Sequence, residues 1–361
     1  MASVSLCMIV KNEEAVLARA LESVGSLADE IVLVDTGSTD GTKRIALRYT
    51  DRVFDFPWCD DFSKARNESF RLASMEYCLW LDADDVLTSA DREALCALKA
   101  RDFDGADVVM VRYHVAFDAQ SRPTYTFYRE RIVRRGAAWH WRGAVHEALT
   151  TPGKVIYADA AVHHRKLGPG DPDRNLRIFE KLLREGHTLD AREQFYYARE
   201  LWYHRRFRQA ADGFLSFLDG GQGWAENCIE ACLLCGRCLL ALGEDKEAMR
   251  VFLRHLEYGA PRAEICCELG DLWLARERPA EAAHWYRLAL RCKKDETSGA
   301  FLSPECYDFR PCVQLCVCYY RMGDLRRARA CHALARALNP EHEVCRTNEA
   351  FFAALEARAP S

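Results

Sequence analysis

Asp82-Ala83-Asp84-Asp85 follows directly on the apolar run Tyr77-Cys78-Leu79-Trp80-Leu81, so a buried strand ends in a cluster of carboxylates. Like charges this close repel one another unless a cation sits among them, which points to a divalent-ion site. The plain structural alternative is a solvated turn capping the helix that Ser89-Ala90-Asp91 would open. Two further apolar runs end in a similar way. Val4–Val10 leads into Lys11-Asn12-Glu13-Glu14, and 31–34 leads into Asp35-Thr36-Gly37-Ser38-Thr39-Asp40-Gly41-Thr42. Acids recurring at three strand ends form a constellation rather than an isolated motif, with Glu13, Asp35, Asp82 and Asp84 as its members.

The elements that must position these acids follow from hydrophobic spacing. Val16, Leu17, Ala20 and Leu21 recur with helical periodicity between the first two runs, and 45–49 does so after the second. The order strand, helix, strand, helix, strand predicts a parallel sheet that receives its ligand in the crevice outside the strands' carboxyl ends. Imperfect alternation over 108–133, with Tyr113, Phe117, Tyr125, Phe127 and Tyr128, predicts hairpin strands.

Four ordered motifs now carry a family resemblance. They are Ser5-Leu6-Cys7-Met8-Ile9-Val10-Lys11-Asn12-Glu13-Glu14, Val34-Asp35-Thr36-Gly37-Ser38-Thr39-Asp40-Gly41-Thr42, Asp61-Phe62-Ser63-Lys64-Ala65-Arg66-Asn67 and Leu79-Trp80-Leu81-Asp82-Ala83-Asp84-Asp85. Together they resemble family 2 glycosyltransferases, and more narrowly the bacterial branch with tetratricopeptide repeats behind the catalytic domain, related to the S-glycosyltransferases of bacteriocin peptides. The resemblance implies an α/β N-terminal domain of GT-A type, a mostly parallel sheet with flanking helices, using a nucleotide sugar, a UDP-sugar above all. It also implies a divalent cation, Mn or Mg, that neutralises the leaving diphosphate. Asp84 would then hold the metal, Asp82 would face the ribose or the metal's water, and Asp35 would accept from the base. Glu13, with Asn12, would hold the nucleoside, and Arg66 would pair with Asp35 or another acid of the nucleotide pocket.

Downstream, Trp139-His140-Trp141-Arg142-Gly143-Ala144-Val145-His146-Glu147 resembles a Gly-x-Val-His-Glu segment of the same branch. An inverting transferase needs one general base near the anomeric carbon. Glu147 is the expected base and His146 the second candidate, although the ordinary family motif here is Glu-Asp. His163-His164 precedes a loop, and the resemblance places His164, rather than His163, in the metal shell. Six arginines lie between Arg122 and Arg142 in a chain of net charge -4. They either line a diphosphate entrance or, as the plainer reading has it, mostly form the solvated face of the hairpins. The acidic balance, without a recognised binding motif, excludes nucleic acid as a partner.

A Gly/Pro cluster, Leu167-Gly168-Pro169-Gly170-Asp171-Pro172-Asp173, marks the expected boundary between a transferase domain, 1–168, and a helical domain, 174–357. Beyond it Cys235-Gly236 and Leu269-Gly270, like Ala248 and Ala282, stand 34 positions apart, the tetratricopeptide period. From Ala282 to Ala328 the interval grows to 46, so an insertion is expected over 293–306. The expected all-α solenoid would select a peptide or protein acceptor or make a homodimer. Cys228, Cys232 and Cys235 share a helix face, and among 17 cysteines this favours buried thiols over a zinc cluster completed by Cys238. With no signal peptide or transmembrane run, the expected location is the cytoplasm. The sequence therefore predicts an inverting, metal-dependent glycosyltransferase. The alternative is a catalytically inactive nucleotide-binding scaffold built on the repeats.

Overall fold

The apolar run Val4–Val10, buried along nearly its whole length, takes the centre of one half of a sheet because it needs cover on both faces. The computed structural model describes the chain except residues 119–120, 122, 137–138, 151–152, 169, 296 and 358–361. Arg122 of the basic stretch, Pro169 of the boundary cluster and Glu296 of the insertion lie outside the described residues. The chain divides into two compact units, Met1–Thr188 and Leu189–Ser361.

In the first unit the elements run β1 (Val4–Val10), α1 (Leu17–Val24), β2 (Glu30–Asp35), α2 (Thr42–Ala46), β3 (Val53–Asp55), α3 (Phe62–Leu72), β4 (Tyr77–Trp80), β5 (Asp85–Val86) and α4 (Ser89–Ala100). They continue with β6 (Val108–Phe117), β7 (Pro123–Arg134), β8 (Trp141–Arg142), β9 (Ala148–Leu149), β10 (Val155–His164) and α5 (Arg174–Arg184). Eight strands form one sheet in the order β3-β2-β1-β4-β7-β6-β10-β5. The β3-β2-β1-β4 half is parallel, as expected from the strand and helix rhythm. The expected hairpin is β6 and β7, antiparallel to each other, with β7 also antiparallel to β4. Leu17, Ala20, Leu21 and Val24 of α1 are buried and pack into one core with Leu6, Met8, Leu33 and Leu79 from the strands.

Register brings the acidic ends together. Val10 of β1 lies opposite Asp35 of β2, and Cys7 opposite Trp80 of β4, so the three acid-bearing ends are neighbours along one edge. At the far side of the sheet β10 runs antiparallel to β5, with His164 opposite Asp85. The acidic tetrad is thus not only a helix cap: Asp85 is a strand residue, and the cap of α4 is Thr88, whose Oγ1 accepts from the Asp91 N–H at 3.2 Å. Helix α5 follows the Gly/Pro cluster in sequence yet packs within the first unit. There Lys181 Nζ donates to Asp60 Oδ2 at 2.6 Å, and Arg174 lies 4.7 Å over the Phe62 ring.

The second unit is all helix: α6 (Ala191–Tyr203), α7 (Phe207–Asp219), α8 (Ala225–Ala241), α9 (Asp245–Arg254), α10 (Ala263–Ala275), α11 (Pro279–Ala289), α12 (Phe309–Arg321), α13 (Leu325–Leu338) and α14 (Glu343–Ala357). Successive helices pack in pairs, α6 on α7, α8 on α9, α10 on α11 and α12 on α13, in the manner of tetratricopeptide repeats. The 34-residue rhythm has a steric cause. A Cβ on Gly236 would come within 2.1 Å of the Phe252 ring, and one on Gly270 within 2.6 Å of Tyr286, so in these two pairs only glycine lets the second helix approach. Cys228, Cys232, Cys235 and Cys238 all lie buried in α8. Burial pushes the Cys232 and Cys238 thiols up to about 12, which suits small apolar packing groups rather than thiolate ligands.

Candidate active site

At the end of β4 the tetrad is sorted by burial into different tasks. Asp85 is fully buried and its carboxylate is committed to the protein. Oδ2 is paired with Arg131 Nη1 at 3.0 Å and accepts from the Asp82 N–H at 3.2 Å, while Oδ1 accepts from the Tyr113 hydroxyl at 2.9 Å. Arg131 is equally buried, with Trp80 and Tyr113 rings at 3.9 and 4.2 Å from its guanidinium carbon, and its Nε and Nη2 reach no hydrogen-bond acceptor among the described residues. This pair is the floor of the site. Above it His164 Nδ1 lies 3.3 Å from Asp84 Oδ1, 3.2 Å from Asp85 Oδ1 and 3.0 Å from the Tyr113 hydroxyl.

Ligating atoms of Asp84, Asp85 and His164 all fall within 4.8 Å of one another, and no other such grouping occurs among the described residues. A carboxylate with an imidazole is a sound donor set for a divalent ion. Hydrogen bonds to Asp84, then to Asp85, raise His164 to about 10, so without an ion a proton takes its place between these groups. His163 turns away: its Nε2 lies 3.0 Å from Asp91 Oδ2.

Arg66 links two predicted site residues that lie far apart in sequence. From α3, whose start is fixed by Asp61 accepting from the Lys64 N–H, its Nη2 donates to Asp82 Oδ1 at 2.8 Å and its Nε donates to Glu147 Oε1. Trp80 and Trp141 rings lie 4.8 and 5.1 Å from its guanidinium carbon. Burial would raise Asp82, but Arg66 and Arg131 outweigh it and hold this carboxyl at about 2. Of the two partners expected for Arg66, Asp35 or another acid of the pocket, these contacts are of the second kind. Asp35 Oδ1 accepts from the Gly37 and Ser38 N–H groups at 2.8 and 2.7 Å, and its buried Oδ2 has no partner among the described residues.

Beside Asp35 the first strand end is tied to the second. Asn12, at φ 57, accepts from the Thr39 N–H at 2.8 Å and donates its own N–H to Ser38 Oγ at 3.0 Å. The Glu13 N–H donates to Thr42 Oγ1 at 2.6 Å. The Glu13 carboxyl is pushed up to about 7, first by burial and then by Asp84, Asp82 and Asp40, which places it within the field of the tetrad. His146 precedes Glu147 in a left-handed backbone conformation, φ 52, at the turn between β8 and β9.

Sequence reading missed Arg131, Tyr113 and the structural duty of Asp85. It also took most of the basic stretch as solvated, whereas Arg131 has no exposure and Arg129 lies 4.9 Å over the Trp80 ring. A signal was present. Arg129 and Arg131 are two apart in a strand and so share a face, here the one against Trp80.

A family model described as glycosyl transferase family 2 matches residues 5–149. The first unit carries a family 2 glycosyltransferase domain. His164 lies just beyond the matched stretch of this transferase domain. Among similar proteins is the lipopolysaccharide core biosynthesis glycosyltransferase LpsC of Rhizobium meliloti, 31% identical over 173 residues, 45% of this chain and 63% of that protein. The SPbeta prophage-derived glycosyltransferase SunS of Bacillus subtilis is 26% identical over 225 residues, 57% of this chain and 50% of that protein. A TPR repeat-containing protein of Synechococcus elongatus is 46% identical over 87 residues, 24% of this chain and 22% of that protein. The chain therefore spans less than two thirds of the length of each of these relatives. Among the described residues no helix is long and apolar enough to cross a membrane.

Proposed function

We propose that this protein is a metal-dependent, inverting glycosyltransferase that moves a sugar from a nucleotide-sugar donor, of the UDP-sugar class, to an acceptor selected by the helical repeats. The observation that carries this reading is the meeting of Asp84, Asp85 and His164 at the strand edge that also holds Asp82, Glu13 and the unpartnered Oδ2 of Asp35. Asp84 and His164 would hold the divalent cation, Mn or Mg, while Asp85, occupied by Arg131 and Tyr113, positions His164. When bound, the ion supplies positive charge to the diphosphate as the glycosidic bond breaks. Asp35 accepts from the base, Asp82 faces the ribose, and Glu13 and Asn12 hold the nucleoside beneath the loop 36–42.

The acceptor's proton leaves as its heteroatom bonds to the anomeric carbon, and nucleoside diphosphate departs on the opposite side. Glu147 is assigned as the base, with His146 the second candidate. Pairing with buried Arg66 through Oε1 orients the Glu147 carboxylate. A peptide or protein acceptor fits the repeat architecture, which also offers a surface for a homodimer. Buried thiols throughout the second unit support a reducing, cytoplasmic setting.

The test is donor hydrolysis: incubation with a panel of nucleotide sugars and manganese, with release of nucleoside diphosphate as the signal. Release that falls at least a hundredfold in Asp84→Ala is expected. No release with any donor, together with nucleotide binding that survives Asp84→Ala, would leave the inactive scaffold as the correct reading.

A further inference from the structure

Between α11 and α12, residues 299–303 of the insertion lie against earlier helices of the helical unit. Phe301 stacks on Phe195 of α6 with ring centroids 6.4 Å apart, and the Arg199 guanidinium sits 4.1 Å over the Phe301 ring. Ala300 and Leu302 on either side are buried. The Ser303 N–H donates to Glu264 Oε1 of α10 at 2.6 Å, and the Tyr307 hydroxyl donates to Oε2 of the same carboxylate at 3.1 Å. Gly299, at φ +76, lies so close to Trp224 that a Cβ would come within 2.8 Å of the indole. Phe301 also lines a small pocket with Ile229, Leu233 and Ile265. One non-helical segment, 297–303, therefore touches α6, α8 and α10 in succession.

Little of the backbone ties it there. Among the described residues its hydrogen bond to the helices is that of Ser303 to Glu264, and others close turns inside the insertion, such as Thr297 N–H to Asp295 Oδ1 at 3.0 Å. Side-chain docking without a backbone ladder is how a bound peptide is held, and it opens without unfolding the helices beneath.

We propose that 297–303 is the built-in occupant of a peptide-binding surface on α6, α8 and α10, whose partner is an extended peptide with an aromatic side chain two residues before a free backbone N–H. Such a peptide places its ring between Phe195 and Arg199 and gives its N–H to Glu264. It must displace the tethered segment, whose effective concentration at the surface is of millimolar order for a short tether. Occupancy therefore sets a threshold that only a well-matched or locally concentrated peptide crosses. The inference rests on the acceptor-selection reading and deepens it.

The experiment uses the full chain and a dye-labelled peptide with the sequence of 294–305, read by fluorescence polarisation without any nucleotide sugar. The comparison is a variant whose residues 297–303 are replaced by the same number of glycines and serines. The variant should bind the peptide at least tenfold more tightly than the unaltered chain, Arg199→Ala in that variant should abolish the gain, and a peptide with Phe301→Ala should bind neither. Equal affinity for both proteins, or for both peptides, would overturn the proposal. Hydrogen exchange on the unaltered chain guards against a misfolded variant. The Ser303 amide should exchange through a local opening far faster than amides within α8 and α10, and equal protection would equally overturn it. Binding of the peptide, together with no release from any donor in the separate hydrolysis test, would discard the transferase reading and leave this surface standing.

Discussion

Asp85 and Arg131 form an ion pair with no solvent contact on either side, so each keeps the other from being an isolated buried charge. Arg131→Met should destabilise the first unit by about 3–5 kcal/mol, the usual cost of orphaning one partner of a buried pair. Adding Asp85→Asn should recover part of that loss, and urea unfolding of the two single and one double variant measures the coupling. His164 gives a second prediction, in pH. Its folded value of about 10 lies above its ordinary 6.5, so its ion pairing stabilises the metal-free protein fully below 6.5 and fades as pH rises through 10. A divalent cation competes for the same lone pair. Manganese binding at pH 7.5 should release close to one proton, and its affinity should climb with pH. Calorimetry in buffers of different ionisation enthalpy reads both, and His164→Asn should abolish the proton release.

At the scale of elements, the strand ends were legible because apolar runs and the acids that terminate them are local in sequence. Glu147 meeting Asp82 through Arg66 was not, since Arg66 lies on α3 while Glu147 follows β8, and only the folded sheet brings them to one pocket. Likewise β5 is two residues long and carries no periodicity, yet it fixes Asp85 opposite His164. The helical rhythm was legible as a 34-residue period, and the structure supplies its cause in the close approach at Gly236 and Gly270. Gly270→Ala should press on Tyr286 and loosen its hydroxyl from Asp271, costing about 1–3 kcal/mol in the helical unit. Differential scanning calorimetry should show a lowered helical transition, with donor hydrolysis unchanged if the repeats serve the acceptor alone.

For the whole molecule, the chain passes from one compact unit to the other after Thr188, so a helix beyond the Gly/Pro cluster belongs with the sheet. That placement was hidden in the sequence because α5 is amphipathic like the helices that follow it, and its contacts with Asp60 and Phe62 reveal its allegiance. A fragment of residues 1–188 should therefore hydrolyse the donor and melt cooperatively, whereas 1–168 should be less stable for want of those contacts. Circular dichroism on heating separates the two.

Trp80 stands with three arginines around its indole, Arg66, Arg129 and Arg131, and Arg66 also faces Trp141. Cations at such range perturb indole emission, and the same Arg66 grips both Asp82 and Glu147. The protein thus carries an optical reporter wired to its own chemistry: whatever draws on those two acids must speak through tryptophan fluorescence, with no label attached.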